Sequence, residues 1–151
     1  MLKLTKEFAL SIASNQPPSI EELGRIVREG RKGPQVECPL QHDFVPGMYA
    51  RTVFVPAGTL VITKRHNTTH RFAVTKGRIA VWTEAQGVHV IQAPYRGTTE
   101  AGTIRLAVAI QDTVWTTYHE TDNTNLVELE RELADDPVEI LEAVERKNLC
   151  Q

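Results

Sequence analysis

The chain has 151 residues, 17 of them basic and 19 acidic, enough for one domain with a real core and too evenly charged for the broad basic field of a nucleic-acid binder. No apolar run reaches the length of a membrane-spanning helix, and the opening Met1-Leu-Lys-Leu-Thr-Lys-Glu7 has no apolar signal stretch. The two cysteines, Cys38 and Cys150, lie far apart, so a disulfide framework is not expected and a reducing cytoplasm is the expected compartment.

In chain order the sequence divides into 1–47, 48–121 and 122–151. The first part is expected to be irregular apart from one helix. Pro17 and Pro18 close the segment before it, and Ser19 and Glu22 have the spacing of a capping box. Ile20, Leu23, Ile26 and Val27 then form one apolar stripe, and Gly30 supplies the stop. Arg25, Arg28, Arg31 and Lys32 make this helix and its exit basic. The cluster is short and has no interleaved aromatics, so it reads as a solvated face rather than a nucleic-acid patch.

The middle part reads as a series of short strands: Tyr49–Val55, Leu60–His66, Arg71–Lys76, Arg78–Thr83, Val88–Gln92, Thr103–Ile110 and Val114–His119. Turn signals separate them at Pro56-Ala-Gly58, Asn67-Thr-Thr69, Gly77, Gln86-Gly87, Pro94 and Gln111-Asp112. Regular spacing, β-branched residues and the lack of helical periodicity predict an antiparallel barrel or sandwich. The last part is expected to be helical. Leu126, Leu129 and Leu133 recur at near-helical spacing, and Asp136-Pro137-Val-Glu139 has the form of a second helix start, followed by the stripe Ile140, Leu141 and Val144. These stripes are expected to dock on the domain's own sheet. A face shared between the protomers of a homodimer is the sharper alternative.

The most informative stretch is Lys64-x-His66-xxx-His70-xxxxxx-Gly77. Lys64 and His66 are two residues apart, which on a strand puts them on one face, and His70 follows a polar turn. With the strands around it, this stretch resembles the first motif of the cupin superfamily, small antiparallel jelly-roll barrels. That motif carries His-x-His, then Glu, then Gly. Lys64 stands at the first histidine position, His66 matches the second, His70 stands where the family has Glu, and the Gly77 spacing fits. The run Glu100-Ala-Gly102-Thr-Ile-Arg105 is similar to the second motif, with Arg105 in place of the fourth ligand. The resemblance covers roughly Tyr49 to His119 and implies a mainly β, cupin-type jelly-roll barrel with an N-terminal helix and one or two C-terminal helices. At a finer grain, Val45-Pro-Gly-Met-Tyr-Ala-Arg51, Cys38-Pro-Leu-Gln-His42 and Asp112-Thr-Val-Trp-Thr-Thr-Tyr-His119 resemble a group of small cupin-like proteins of bacteriophages. That likeness implies a host-cell cytoplasmic setting more than a reaction.

Four chemistries are open for the corner. His66 and His70 can ligate a divalent metal such as Zn, Fe, Mn or Ni if a third ligand arrives, for which His119, Glu84, Glu100 and Asp112 are candidates. The fixed charge of Arg105 would oppose such a cation. Alternatively, Lys64, His66, His70 and Arg105 convert the barrel mouth into a site for a small anionic molecule, of which a nucleotide is one kind. Trp115, Trp82, Tyr118 and Tyr95 are then candidates for a stacking wall. An enzymatic version uses His66 or His70 as general base, although no nucleophile is evident. The histidines can also be ordinary hydrogen-bonded interior groups, or the barrel an assembly component of a virion. Cys38-x-x-x-His42 is at most half of a zinc site.

Overall fold

A computed structural model of the chain describes residues 2–3 and 18–150. Pro17, expected to help close the segment before the first helix, lies outside the described residues. The elements are β1 (Leu2–Lys3), α1 (Ile20–Gly30), β2 (Leu40–Val45), β3 (Met48–Val55), β4 (Thr59–Ile62), β5 (Arg65–His66), β6 (His70–Lys76), β7 (Arg78–Thr83), β8 (Gly87–Gln92), β9 (Tyr95–Thr99), β10 (Leu106–Ala109), β11 (Thr113–Glu120), α2 (Leu126–Leu133), β12 (Ala134–Asp135) and α3 (Pro137–Leu149).

Two antiparallel sheets face each other, one in the order β1-β4-β10-β7-β8 and the other in the order β2-β3-β11-β6-β9. Period-two alternation sends one side of every strand into the space between them. There Phe72, Val74, Ile79, Val81, Ile91, Ala107 and Trp115 form one buried cluster. The outer face of the first sheet is also apolar, and α1 covers it: Leu23 packs with Leu60, Trp82 and Leu106. The helix starts as its capping box predicts, with the Ser19 hydroxyl accepting from Glu22 N at 3.2 Å and the Glu22 carboxylate accepting from Ser19 N at 2.8 Å.

Four features differ from the sequence reading. The stretch before Gly47 is not wholly irregular, because β2 pairs with β3 from Leu40↔Val53 to Val45↔Met48. Tyr95–Thr99 is a further strand, β9, paired with β6. The expected strand Leu60–His66 breaks at Thr63-Lys64 into β4 and β5, because the two pieces serve different partners: β4 pairs with β10 and β5 with β12. The C-terminal helix α3 also docks on α1 rather than directly on a sheet. The two helices approach closely enough that a side chain at Gly24 would put its Cβ 2.7 Å from Leu141 Cβ, and Arg28 grips Glu145 with two hydrogen bonds of 3.2 Å. Each member of the basic cluster has an acidic partner: Arg25 with Glu21, Arg28 with Glu145, Arg31 with Asp136, and Lys32 with Glu29.

Gly77 is the one turn position where glycine is required on two counts. Its φ is +89°, and a Cβ there would fall 2.2 Å from the Asp112 carbonyl oxygen. The segment after β11 runs back over the barrel end that holds β5: β12 pairs with β5, and Asn67 N donates to the Leu133 carbonyl at 2.8 Å.

Candidate functional site

Alternation decides which side chains meet inside the barrel. Tyr49, Arg51 and Val53 of β3, His70, Phe72 and Val74 of β6, and Trp115, Thr117 and His119 of β11 each occupy alternate positions on their strand. Strand register then sets them in rows. His119 lies opposite Tyr49 and Thr117 opposite Arg51. Thr117 also lies opposite Phe72, while His70 faces Thr99 and Phe72 faces Gly97. One end of the interior is therefore aliphatic and aromatic, and the other is built from histidine, arginine, threonine and tyrosine.

At the polar end the rings form a continuous run. Centroids are 4.7 Å apart for His66 and His70 and 4.4 Å for His70 and His119. The run continues through His119 and Tyr49 at 5.8 Å to Tyr49 and His42 at 5.9 Å. His42 Nδ1 lies 2.6 Å from the Tyr49 hydroxyl, so His42 partners a tyrosine and not Cys38. His70 Nδ1 donates to the Thr68 carbonyl at 3.0 Å, and His119 Nε2 lies 3.0 Å from the Thr117 hydroxyl. The other nitrogens, His70 Nε2 and His119 Nδ1, are buried with no partner, and so is the Thr99 hydroxyl. These residues are 6%, 5% and 0% exposed. Three unsatisfied polar atoms within two adjoining strand pairs is a concentration that a packed interior ordinarily avoids.

Arg105 reaches the same end from the loop before β10. Its backbone is fixed by Thr63, whose hydroxyl accepts from Arg105 N at 2.9 Å and whose N–H donates to the Arg105 carbonyl at 3.0 Å. The guanidinium carbon lies 4.9 Å from the Phe72 ring centroid and 5.4 Å from that of Trp115. Those two rings stack on each other at 4.5 Å, which gives the cation an aromatic floor. Gly97 makes room for it, since a Cβ there would lie 2.6 Å from Phe72 Cζ. Arg105 is 8% exposed, and among the described residues its guanidinium has neither an ion-pair nor a hydrogen-bond partner.

Electrostatics follow from burial first, then from the neighbouring imidazoles and the two arginines. Burial first, then the charges of His70, Arg105, His119 and Arg51, bring His66 down to about 3. Burial, then His70 and Arg51, brings His119 down to about 4. His70 is also lowered, by burial with help from Arg105, against an opposing hydrogen bond from Thr68. Burial lowers Arg105 to about 10, with Tyr95 pulling the other way. At neutral pH the three imidazoles are therefore uncharged and the guanidinium is charged.

The structure brings His66, His70, His119, Arg105 and Trp115 together, and it sends other candidates elsewhere. Lys64 sits at the break between β4 and β5, and its charge is felt by Asp136 at the start of α3. The same-face argument pairing it with His66 loses its basis with the strand break. Trp82 packs outside the barrel under α1, and Tyr118 alternates with Thr117 and His119 onto the outer face. Tyr95 stays near the site, 6.0 Å from the Phe72 ring. Asp112 accepts from Ala57 N at 2.9 Å, Glu100 accepts from the Thr69 hydroxyl at 3.2 Å, and Glu84 is exposed in a turn. Tyr49, Arg51, Phe72, Thr99 and Thr117 were not singled out from sequence. The signal for Phe72 and Thr117 was the alternation His70-x-Phe72 and Thr117-x-His119, read together with strand pairing.

The donor set does not fit a metal centre. His66, His70 and His119 adjoin one another as rings, but no group of three His, Cys, Asp or Glu among the described residues converges in an arrangement that would hold a metal ion. Among the described residues no carboxylate ion-pairs with Arg105 or hydrogen-bonds to the histidines, and the positive charges of Arg105 and Arg51, which add to burial in lowering His66, would also repel a divalent cation.

Comparison with known proteins supports the fold. No protein-family model and no curated protein matches the sequence. Among solved structures, ectoine synthase from P. lautus superposes with a TM-score of 0.54 at 9% identity, over 68% of this chain and 78% of that one. The cupin domain of Schizosaccharomyces pombe Cnp3 gives 0.48 at 19% identity, over 70% and 76%. KdgF from Halomonas sp. gives 0.48 at 16%, over 60% and 86%. The chain has the cupin fold, a jelly-roll barrel that, among the described residues, carries one helix ahead of β2 and two after β11. At such identities the likeness speaks to architecture alone. No helix among the described residues is long and apolar enough to cross a membrane.

Proposed function

We propose that the polar end of this barrel binds a small anionic molecule, with Arg105 as its principal charge partner and Arg51 and the histidine row around it. The observation that supports this reading is the state of Arg105: a charged guanidinium, 8% exposed, over two aromatic rings, with no carboxylate in ion-pair range among the described residues. A buried cation without a counter-charge is among the most expensive groups a fold can carry. A planar donor fork inside a barrel suits a carboxylate or phosphate. Arg51 adds to the positive potential from β3, as its effect on His66 and His119 indicates.

The test is isothermal titration of the purified protein in EDTA with phosphate, succinate, malate and citrate. Binding of at least one of these, lost in Arg105→Met, is the expected result. Absence of heat with all four, or binding unaffected by Arg105→Met, would overturn the reading. Titration with zinc or manganese in place of EDTA provides the opposing arm, and tight stoichiometric metal binding that survives Arg105→Met would favour a metal site instead.

A further inference from the structure

The hydrogen-bond partners of the two innermost histidines constrain what kind of anion can enter. His70 Nδ1 faces the Thr68 carbonyl at 3.0 Å. A carbonyl only accepts, so Nδ1 must carry the ring proton, and Nε2 of the neutral ring is then a bare acceptor. His119 Nε2 faces the Thr117 hydroxyl at 3.0 Å, and that hydroxyl also has the Arg51 carbonyl at 3.5 Å. A hydroxyl that gives its hydrogen to that carbonyl accepts from Nε2, and Nδ1 of His119 is then a second bare acceptor. His70 Nε2 and His119 Nδ1 are both buried without a partner, on rings 4.4 Å apart.

A plain dianion such as succinate offers these nitrogens nothing but lone pairs. It would satisfy Arg105 and the Thr99 hydroxyl and leave His70 Nε2 facing an acceptor. An ammonium group would supply a donor, but against the positive potential of Arg51 and Arg105. A neutral hydroxyl meets neither objection. We infer that the anion taken by this site carries at least one hydroxyl placed to donate to His70 Nε2 or His119 Nδ1, so that the ligand class is a hydroxycarboxylate or a hydroxylated phosphate ester. This rests on the anion reading above and narrows it, with Arg105 taking the charge and the histidine pair selecting the hydroxyl.

The experiment compares matched anions that differ by one hydroxyl: succinate against each enantiomer of malate, and against tartrate, by isothermal titration at pH 7.5 in two buffers of different ionisation enthalpy. A hydroxylated member is expected to bind at least about tenfold more tightly than succinate, the loss expected when a buried acceptor is left unpaired. It is expected to do so without net proton uptake, and the preference should shrink in His70→Phe. Because a buried histidine can be needed for folding, nitrogen-15 NMR of the wild-type protein gives an independent readout. His70 should appear neutral with its proton on Nδ1, and His119 neutral with its proton on Nε2. Succinate and malate binding equally would overturn the inference while leaving the anion reading intact. So would the opposite tautomers, or proton uptake on succinate binding that shows an imidazolium taking over as donor. No binding by any anion would overturn both.

Discussion

The two ends of the barrel interior are built by the same strands and obey different rules. At one end Val74, Ile79, Val81 and Ile91 are 1%, 2%, 0% and 2% exposed and pack in one apolar cluster with Ala107, Phe72 and Trp115. At the other, His70, His119, Thr99 and Arg105 are as deeply buried, yet they leave polar atoms or charge without a partner. Burial alone does not separate the two ends. Satisfaction does: the apolar end needs no hydrogen bonds, and at the polar end His70 Nε2, His119 Nδ1, the Thr99 hydroxyl and the Arg105 guanidinium have no partner among the described residues. The fold carries the unfavourable end because the apolar end, α1 on the outer sheet face and the α1–α3 contact stabilise it.

The comparison can be broken most forcefully at the apolar end. Ile79→Ala is expected to cost about 2–5 kcal/mol of stability, since a fully buried side chain leaves a cavity, with anion affinity little changed in the folded fraction. Urea unfolding measures the loss. A cost below 1 kcal/mol would mean that this end is not the packed scaffold described here.

Acid is the next lever. The folded-state pKa of His66 is depressed to about 3 and that of His119 to about 4, against 6.5 for an ordinary histidine. His70 shifts in the same direction. Between about pH 6.5 and pH 4 the unfolded chain therefore takes up protons that the folded chain refuses, so stability falls as pH falls through this window and is level above it. Each such proton contributes a slope of at most about 1.4 kcal/mol per pH unit. Unfolding free energies at pH 7.5, 6, 5 and 4.5 should show the decline, flattened in His66→Asn. A wild-type curve level down to pH 5 would mean that the histidines are not held neutral by their surroundings.

A smaller effect is expected at Gly97, where the missing side chain makes room for the Phe72 ring beneath Arg105. Gly97→Val should destabilise by about 1–3 kcal/mol through overpacking and weaken anion binding by displacing the aromatic floor. Affinity unchanged in a folded Gly97→Val protein would show that the floor does not position the guanidinium.

Much of this architecture was legible in the sequence. The capping box at Ser19, the helix start at Asp136-Pro137 and five of the seven strands to within a residue or so follow from local rules, and the barrel type from the resemblance to the cupin motifs. β2 and β9 were missed because their sequences, Leu-Gln-His-Asp-Phe-Val and Tyr-Arg-Gly-Thr-Thr, show weak alternation; they are strands by virtue of pairing with β3 and β6. The site divides in the same way. His66, His70 and Arg105 were visible through motif spacing, and His119 as a candidate third ligand. Lys64 was placed by assuming an unbroken strand, which the divergent pairing of β4 and β5 removes. Tyr49 and Arg51 of β3 and Thr99 of β9 come from strands far apart in sequence, and only the register of β3, β11, β6 and β9 brings them to adjoining rows at one end. The proposal of an anion site draws on those rows, which set Arg51 and Arg105 beside the histidines with no carboxylate in ion-pair range of Arg105 among the described residues.

The most direct measurement is urea unfolding of the wild-type protein and Arg105→Met, each with and without saturating malate. Methionine removes a buried, unpaired charge, so the ligand-free variant should match or exceed the wild type, by up to about 1–4 kcal/mol. Malate should stabilise only the wild type, by about 2.7 kcal/mol at one hundred times its dissociation constant. A ligand-free Arg105→Met protein several kcal/mol weaker than wild type, or equal stabilisation of both by malate, would contradict the claim that Arg105 is held in the barrel for an anion.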